Sequence, residues 1–232
     1  MMKIIGRGLV GAAAIGFACL TYAYLTLPDV RSLRTVNPST TAFIELRAAE
    51  ARVKKRQPRR VQQWVSYGRV SQDLKRAVLV AEDDAFWQHE GVDFDQLQES
   101  LELDWARGRW MRGGSTITQQ LAKNLYLSPS KNPLRKLREL IIARRLEAEL
   151  KKSRILELYL NVIEWGDGIY GAEAASRRYF KTSAANLSAG QGAALAAMVP
   201  NPRWFEDHRA SHKYQHRVAV IAARMRDAQV PR

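Results

Sequence analysis

The chain has 232 residues, which is enough for one well-packed domain with a short appendage. A hydrophobic content of 46% excludes wholesale disorder, and a single cysteine, Cys19, excludes both an intrachain disulfide and a cysteine-built zinc site. The formal net charge of +14 indicates an anionic partner, for which nucleic acid, anionic lipid and a diphosphate substrate are all candidates.

The first predicted element is a membrane anchor. An uncharged apolar run extends from Gly8 to Leu27, matching the roughly 20 helical residues that span a hydrocarbon core. Basic residues precede the run and tyrosines lie near its far end, as interfacial anchors do: Lys3, Arg7, Tyr22 and Tyr24. A cleaved signal peptide is the alternative, but its apolar core is shorter and a small-x-small cleavage site should follow. We therefore expect an uncleaved span at 8–27, with residues 1–7 in the cytoplasm.

Residues 28–65 form a predicted juxtamembrane segment. Ala42 to Val53 is compatible with a helix, whereas Pro58 excludes a helix interior from the basic cluster that follows, Lys54-Lys-Arg-Gln-Pro-Arg-Arg60. The cluster is either a site for anionic head groups just outside the membrane or a solvated linker. The sequence does not choose between these two interpretations.

Residues 66–205 are predicted to form a helical domain, and residues 206–232 a basic C-terminal helix. Helix starts are indicated by the capping residues Ser71, Asn132 before Pro133, and Ser153. Further helices are expected at Ala172–Phe180, at Ser188–Val199 and from about Ser211 to Arg226. Because no run of alternating apolar residues indicates a sheet, the predicted fold class is mostly α.

Three segments of this domain carry residues suited to chemistry. The first is Glu82-Asp83-Asp84-Ala85-Phe86-Trp87-Gln88-His89-Glu90-Gly91. A glutamate at the end of an apolar helix, close to aromatic residues, is placed where partial burial favours its protonated form and makes it a poised acid or base. A solvated acidic helix end is the alternative, and His89 within the motif is interpreted as a hydrogen-bonded structural residue.

The second segment is Gly113-Gly-Ser115-Thr-Ile-Thr-Gln-Gln120-Leu-Ala-Lys123-Asn124. Two glycines followed by hydroxyl and amide side chains can form a loop whose N–H groups meet an anion, and Lys123 can reach the same anion. A plain turn before a capped helix is the alternative.

The third segment runs from Lys131 to Glu147. Arg135 and Lys136 precede Glu139 by four and three residues, so the three side chains share one helix face. Surface ion pairing explains this spacing, and so does a site that receives a diphosphate leaving group.

These segments together resemble the peptidoglycan glycosyltransferase family (glycosyltransferase family 51), which includes class A penicillin-binding proteins and monofunctional transglycosylases. The resemblance covers most of residues 66–205 and rests on four motifs in family order: Glu82-Asp-x-x-Phe-x-x-His89-x-Gly91, Gly113-Gly-Ser-Thr-Ile-Thr-Gln-Gln-Leu-x-Lys-Asn124, Arg135-Lys-x-x-Glu139-x-x-x-Ala-x-x-Leu-Glu147 and Lys152-x-x-Ile-Leu-Glu-x-Tyr-Leu-Asn161.

The resemblance implies a lysozyme-like helical fold on the outer face of the inner membrane, with lipid II as the substrate. By motif position, Glu82 matches the general base and Glu139 the second carboxylate beside the departing diphosphate. The implied diphosphate and sugar contacts are Ser115, Gln120, Lys123, Asn124, Lys131, Arg135 and Lys136. Lys131 stands where some relatives carry arginine. Mg²⁺ or Mn²⁺ assists some relatives, although no ligand motif here requires a metal.

The implied partners are lipid II, the lipid-linked growing strand, the membrane, and other cell-wall synthesis or division proteins, rather than nucleic acid. A monofunctional enzyme is expected, because Ser128-Pro-Ser-Lys131 lies inside the glycosyltransferase segment and no Lys-Thr-Gly motif follows. The alternatives are a lytic transglycosylase or lysozyme-like enzyme, and a membrane-tethered binder of anionic polymers. His208, His212 and His216 have metal-ligand spacing but are interpreted as a solvated basic face.

Overall fold

The computed structural model describes residues 11, 14, 16–18, 21–22, 24–94, 98, 114–129 and 132–226. The helices in these ranges are α1 (Ala42–Val53), α2 (Gln72–Glu82), α3 (Ile117–Tyr126), α4 (Pro133–Glu149), α5 (Lys152–Val162), α6 (Ala172–Phe180), α7 (Ala189–Met198), α8 (Pro202–Asp207) and α9 (His212–Arg224). Short 3₁₀ turns lie at Arg31–Arg34, Tyr67–Arg69 and Ala184–Asn186. The protein is therefore mostly helical, as its sequence predicts.

A small sheet, absent from the sequence-based prediction, joins distant parts of the chain. Its strands are β1 (Val61–Gln62), β2 (Glu164–Gly166) and β3 (Ile169–Tyr170), in the order β1-β3-β2. β1 pairs parallel to β3, and β2 pairs antiparallel to β3 with an irregularity between Glu164 and Gly166. Strands of two or three residues are too short to show alternation, which is why the sequence pattern missed them.

The core has two neighbouring groups of helices. α2 packs most extensively against α7, and α9 packs against both α7 and α2. α3 packs against α4 and α5, while α1 lies against α3. Apolar side chains such as Leu74, Leu121 and Leu156 are fully buried between them, together with the large ring of Trp165. Both groups meet where α2 ends and α3 begins.

Side-chain caps explain most of the helix starts. Ser71 accepts from the N–H of Leu74, Asn132 from Leu134, and Ser211 from Tyr214. Ser188 and Gln191 form a reciprocal capping box at α7. These caps confirm the starts that the sequence predicted for α2, α4 and α7.

The cap predicted at Ser153 was wrong. α5 begins one residue earlier, at Lys152, and its flanking residue Lys151 makes no side-chain cap. The preceding helix ends at Glu149, so only Leu150 and Lys151 separate α4 from α5. Because the connection is so short, the end of α4 determines where α5 begins, and no capping hydroxyl is needed.

Much of the predicted anchor at 8–27 lies outside the described residues. Those that are described are helical from Gly11 to Leu25, and the side chains of Phe17, Tyr22, Tyr24 and Leu25 are 60% or more exposed. Within the described part of the chain, no helix has both the length and the apolar character that crossing a membrane requires.

Candidate active site

Glu82 is the last residue of α2, and its carboxylate is held by side chains from two other helices. Its side chain is only 10% exposed. Gln120 on α3 donates from Nε2 to Oε2 at 3.0 Å, and Arg217 on α9 donates from Nη2 to Oε1 at 2.9 Å. The Tyr159 hydroxyl donates to Oε1 of Gln120 at 2.9 Å, which orients the amide. Each carboxylate oxygen therefore has a hydrogen-bond partner, and the two bonds fix the orientation of the carboxylate.

The protonation of Glu82 is set by opposing effects. Burial raises the pKa of the carboxyl above its ordinary value, while the Gln120 hydrogen bond and the positive charges of Arg217 and Lys123 lower it. A buried carboxyl balanced in this way is suited to take up a proton from a bound hydroxyl.

Glu139 is a second buried carboxylate, and cations surround it. Its side chain is 4% exposed on α4. Lys136 donates from Nζ to Oε1 at 2.6 Å, and Arg135 forms an ion pair with Oε2. Lys136 Nζ also donates to Ser115 Oγ at 3.1 Å and to Gln119 Oε1 at 3.0 Å. Glu139 thus fixes two cations whose charge it only partly neutralises.

Lys123 lies in the electrostatic field of both carboxylates. Burial lowers the pKa of its ammonium group, the charges of Arg135 and Lys136 lower it further, and Glu139 and Glu82 raise it. Since both acids act on this one ammonium group, Lys123 links the Glu82 site to the Glu139 cluster. Three cations are therefore concentrated beside Glu139.

A hollow of about 190 Å³ opens beside these residues. Its wall includes Gln120, Lys123 and Asn124 from α3, Tyr159 from α5, and Phe43 and Arg47 from α1. Asn124 is 8% exposed and donates from Nδ2 to the carbonyl of Gln120 at 2.8 Å. We call this hollow, with the adjoining carboxylates and cations, the groove.

The structure brings together every described residue that the sequence predicted for the site. Glu82, Gln120 and Asn124 form one connected group, and Glu139, Arg135, Lys136 and Ser115 form another, and the charges of both groups act on Lys123. Lys131 lies outside the described residues. The glycine-rich segment and the basic helix are therefore parts of one site.

Asp83, His89 and Asp93 form a candidate metal cluster, because one ligand atom of each lies within 4.8 Å of the others. However, His89 Nδ1 accepts from the Gly91 N–H at 3.1 Å, and Nε2 contacts Asp83 Oδ1 at 2.9 Å. Asp83 Oδ2 also accepts from the Ile117 N–H at 2.8 Å. A divalent ion would have to break these bonds, so the cluster fits a metal poorly and fits a brace between α2 and α3 well.

Arg217 is the site residue that sequence reasoning missed. Its place in the basic C-terminal helix suggested a solvated face, yet its guanidinium contacts Glu82. Arg224, two turns further along α9, pairs with Asp84 at 2.7 Å. One sequence signal could have indicated this contact. The two arginines are seven residues apart and so lie on one face of α9, and an acidic run at the end of α2 offers them partners.

The three histidines near Arg217 do not form a metal site among the described residues. His208 stacks on Trp204 and contacts its carbonyl oxygen through Nδ1 at 2.8 Å. His212 and His216 are exposed, with ring centroids 6.1 Å apart. His212 and His216 thus lie on an exposed face of α9, whereas His208 lies before that helix and does not share its face.

The fold and the groove together fit a class of enzyme that needs a buried carboxylate suited to act as a base and a nearby cation cluster suited to hold a phosphate leaving group. A family model described as transglycosylase matches residues 49–226, and the chain belongs to this family. It is accordingly a glycosyltransferase.

Similar proteins support this assignment over the full length of the chain. A biosynthetic peptidoglycan transglycosylase of Thiobacillus denitrificans is 48% identical over 232 residues, covering 100% of this chain and 99% of the relative. One from Dechloromonas aromatica is 47% identical, covering 99% of this chain and 100% of the relative. One from Bordetella pertussis is 48% identical over 199 residues, covering 84% of this chain and 82% of the relative.

Proposed function

We propose that the chain is a peptidoglycan glycosyltransferase that polymerises lipid II into glycan strands with release of undecaprenyl diphosphate. The observation that carries the proposal is that Gln120 and Lys123 line one hollow, while Gln120 is bonded to Glu82 and the charge of Glu139, which holds Arg135 and Lys136, acts on Lys123. The family assignment and the names of the relatives agree with it.

In this mechanism Glu82 is the general base. It takes the proton from the 4-hydroxyl of the acceptor sugar, and the resulting oxygen forms a bond to the anomeric carbon of the lipid-linked strand. The bond from that carbon to the diphosphate oxygen breaks, and the configuration inverts from α to β. The Gln120 and Arg217 contacts hold the carboxylate in place during the transfer.

The cations of the groove stabilise the leaving group. Lys123, Arg135 and Lys136 offset the charge that develops on the diphosphate, so its departure needs no general acid. Glu139 keeps the two neighbouring cations oriented, and Ser115 shares the Lys136 ammonium. We assign Lys131 to the same set from its motif position, and Asn124 with Gln120 to the sugar.

We also propose that residues 8–27 anchor the enzyme in the inner membrane, with the helical domain on the periplasmic side and a lysozyme-like arrangement around its groove. The uncharged run, the basic residues before it and the exposed aromatic side chains Phe17 and Tyr22 support the anchor. Such an anchor would place the groove near a substrate that resides in the membrane.

Polymerisation of purified lipid II tests the function. Wild-type protein should form polymer, and Glu82→Gln should reduce the rate at least about 100-fold, since a general base contributes about 10²–10⁴-fold. Glu90→Gln is the matched control, because Glu90 is 78% exposed in the same segment and should retain activity. Fragmentation of finished glycan strands without polymer formation would instead assign a lytic enzyme.

A further inference from the structure

A second hollow, lined mainly by cations, lies apart from the catalytic carboxylates. Its volume is about 250 Å³, and we call it the basic hollow. It is lined by the cations Arg47, Lys54, Arg56, Arg59 and Arg203. The carboxylates on the same wall are those of Glu50 and Asp167. Cations therefore exceed carboxylates five to two.

Two of these cations are fixed by a buried acid. Arg47 Nη2 lies 3.0 Å and Arg203 Nε 2.9 Å from the carboxylate of Glu164, whose side chain is 2% exposed. By contrast, no salt bridge holds Lys54 or Arg56 within the described ranges of the chain, although the pKa of the Glu50 carboxyl is lowered by the Arg47 hydrogen bond and also by the charge of Lys54. The basic hollow thus combines two arginines that a buried carboxylate holds with two cations that no salt bridge holds.

The segment that supplies Lys54, Arg56 and Arg59 is built into the fold. The N–H of Val61 donates to the Gly168 carbonyl at 2.8 Å, and a Cβ on Gly168 would lie 2.7 Å from the Arg59 carbonyl oxygen. Arg60 also contacts the Ser39 carbonyl through its guanidinium. Of the two interpretations that the sequence left open, a loosely solvated linker is therefore the poorer one.

Arg47 connects the basic hollow to the groove. It lines both cavities, and its guanidinium binds Glu50 on one side and Glu164, which lines the groove, on the other. The two cavities therefore adjoin at Arg47, so a molecule that occupies the groove at Lys123 and Asn124 lies next to the basic hollow. The most direct candidate for a ligand of the basic hollow is therefore an anionic group of the substrate itself.

We propose that the basic hollow binds carboxylate groups of the peptide carried by the sugar substrate, with Lys54 and Arg56 as the contacting residues. This inference rests on the proposed function, because lipid II, the proposed substrate, is a lipid-linked disaccharide that carries a pentapeptide. Peptide carboxylates are anions tethered to the sugar, which the groove holds at the other side of Arg47. Guanidinium and ammonium groups are their usual partners.

The test compares two substrates with several variants. Full-length enzyme is assayed on lipid II with free peptide carboxylates and on lipid II whose peptide carboxylates have been converted to amides. Lys54→Glu combined with Arg56→Glu should raise KM about fivefold or more for the free-carboxylate substrate and leave kcat unchanged, since partly exposed ion pairs contribute a few-fold each. KM for the amidated substrate should not change.

Lys55→Glu is the matched control. It makes the same kind of charge change between the two tested positions, but Lys55 does not line the basic hollow, so KM should stay at the wild-type value for both substrates. An equal rise in KM for both substrates, or an equal effect of Lys55→Glu, would assign the result to general charge and overturn the inference. Loss of binding to anionic vesicles with KM unchanged would assign the basic hollow to lipid head groups.

If the proposed function were wrong, the assay would give a result different from the failure of this inference. Wild-type enzyme would then form no polymer from either substrate, irrespective of Lys54 and Arg56. A direct measurement is also available, because the free pentapeptide can be titrated into Glu82→Gln enzyme by calorimetry. Binding that is weakened by the double charge reversal and not by Lys55→Glu supports the inference, and binding that all variants share contradicts it.

Discussion

At Glu82, three neighbours oppose the effect of burial. Gln120 and Arg217 contact its oxygens, and Lys123 adds positive charge from α3. The Tyr159 hydroxyl and the Asp83 carboxylate are the other titratable groups close by, while α7, which packs against α2, carries no titratable side chain. Arg217 is therefore the main contribution of the C-terminal helix to the ionisation of the base.

Replacement of Arg217 by alanine should change the pH dependence of turnover. Without the guanidinium, the pKa of Glu82 rises further, because burial is then less strongly opposed. A base works in its ionised form, so activity is lost as pH falls through this pKa, and the acidic limb of the kcat/KM profile should move to higher pH. The loss of rate should be larger at acidic than at alkaline pH.

Arg224→Ala is the control for this measurement. Arg224 lies on the same helix and pairs with Asp84, with both side chains about half exposed. Its removal should leave the acidic limb where it is in the wild-type protein. If both variants shifted the profile equally, the effect would belong to the docking of α9 as a whole.

Among the elements, α2 depends on its capping residue. Ser71→Ala removes the side-chain acceptor for the Leu74 N–H and should lower the free energy of unfolding by about 1 kcal/mol in urea denaturation. Ser153→Ala is the matched comparison, because Ser153 lies inside α5 and caps nothing. That substitution should change stability by less than about 0.5 kcal/mol.

The helix caps also show which elements the sequence could predict. Ser71, Asn132 and Ser188 mark helix starts through bonds to residues two or three positions away, so their effect can be read locally. The prediction of a cap at Ser153 was wrong, because the two-residue link from α4 determines where α5 begins. The strands escaped prediction because their pairing joins Val61 to Ile169, far along the chain.

At the scale of the whole molecule, α7 supports the two helices that meet at Glu82. It packs against α2, which carries Glu82, and against α9, which carries Arg217. The contact with α2 is close at Gly192, where a Cβ would lie 3.0 Å from the Asp73 carbonyl oxygen and 3.1 Å from the Leu74 nitrogen. These backbone atoms cannot move aside without shifting α2.

Gly192→Ala should therefore destabilise the protein and reduce turnover together. Overpacking of this kind costs about 1–3 kcal/mol, measurable as a lower urea midpoint, and displacement of α2 should disturb the Glu82–Arg217 contact. Gly190→Ala, on the same helix with open space around its Cβ position, should be neutral or stabilising by up to about 1 kcal/mol. A destabilised Gly190→Ala protein would contradict this account of the packing.

The sequence by itself determined the helical class, most helix starts and the acidic and basic residues suited to the chemistry. These features depend on side-chain type and on spacings of three or four residues, which act locally. Only the tertiary structure decided that both carboxylates act on Lys123, that Arg217 contacts Glu82, and that Lys54 and Arg56 line a hollow that shares Arg47 with the groove. Such contacts join residues far apart in the chain, so their geometry depends on how the helices pack and on how β1 pairs with β3.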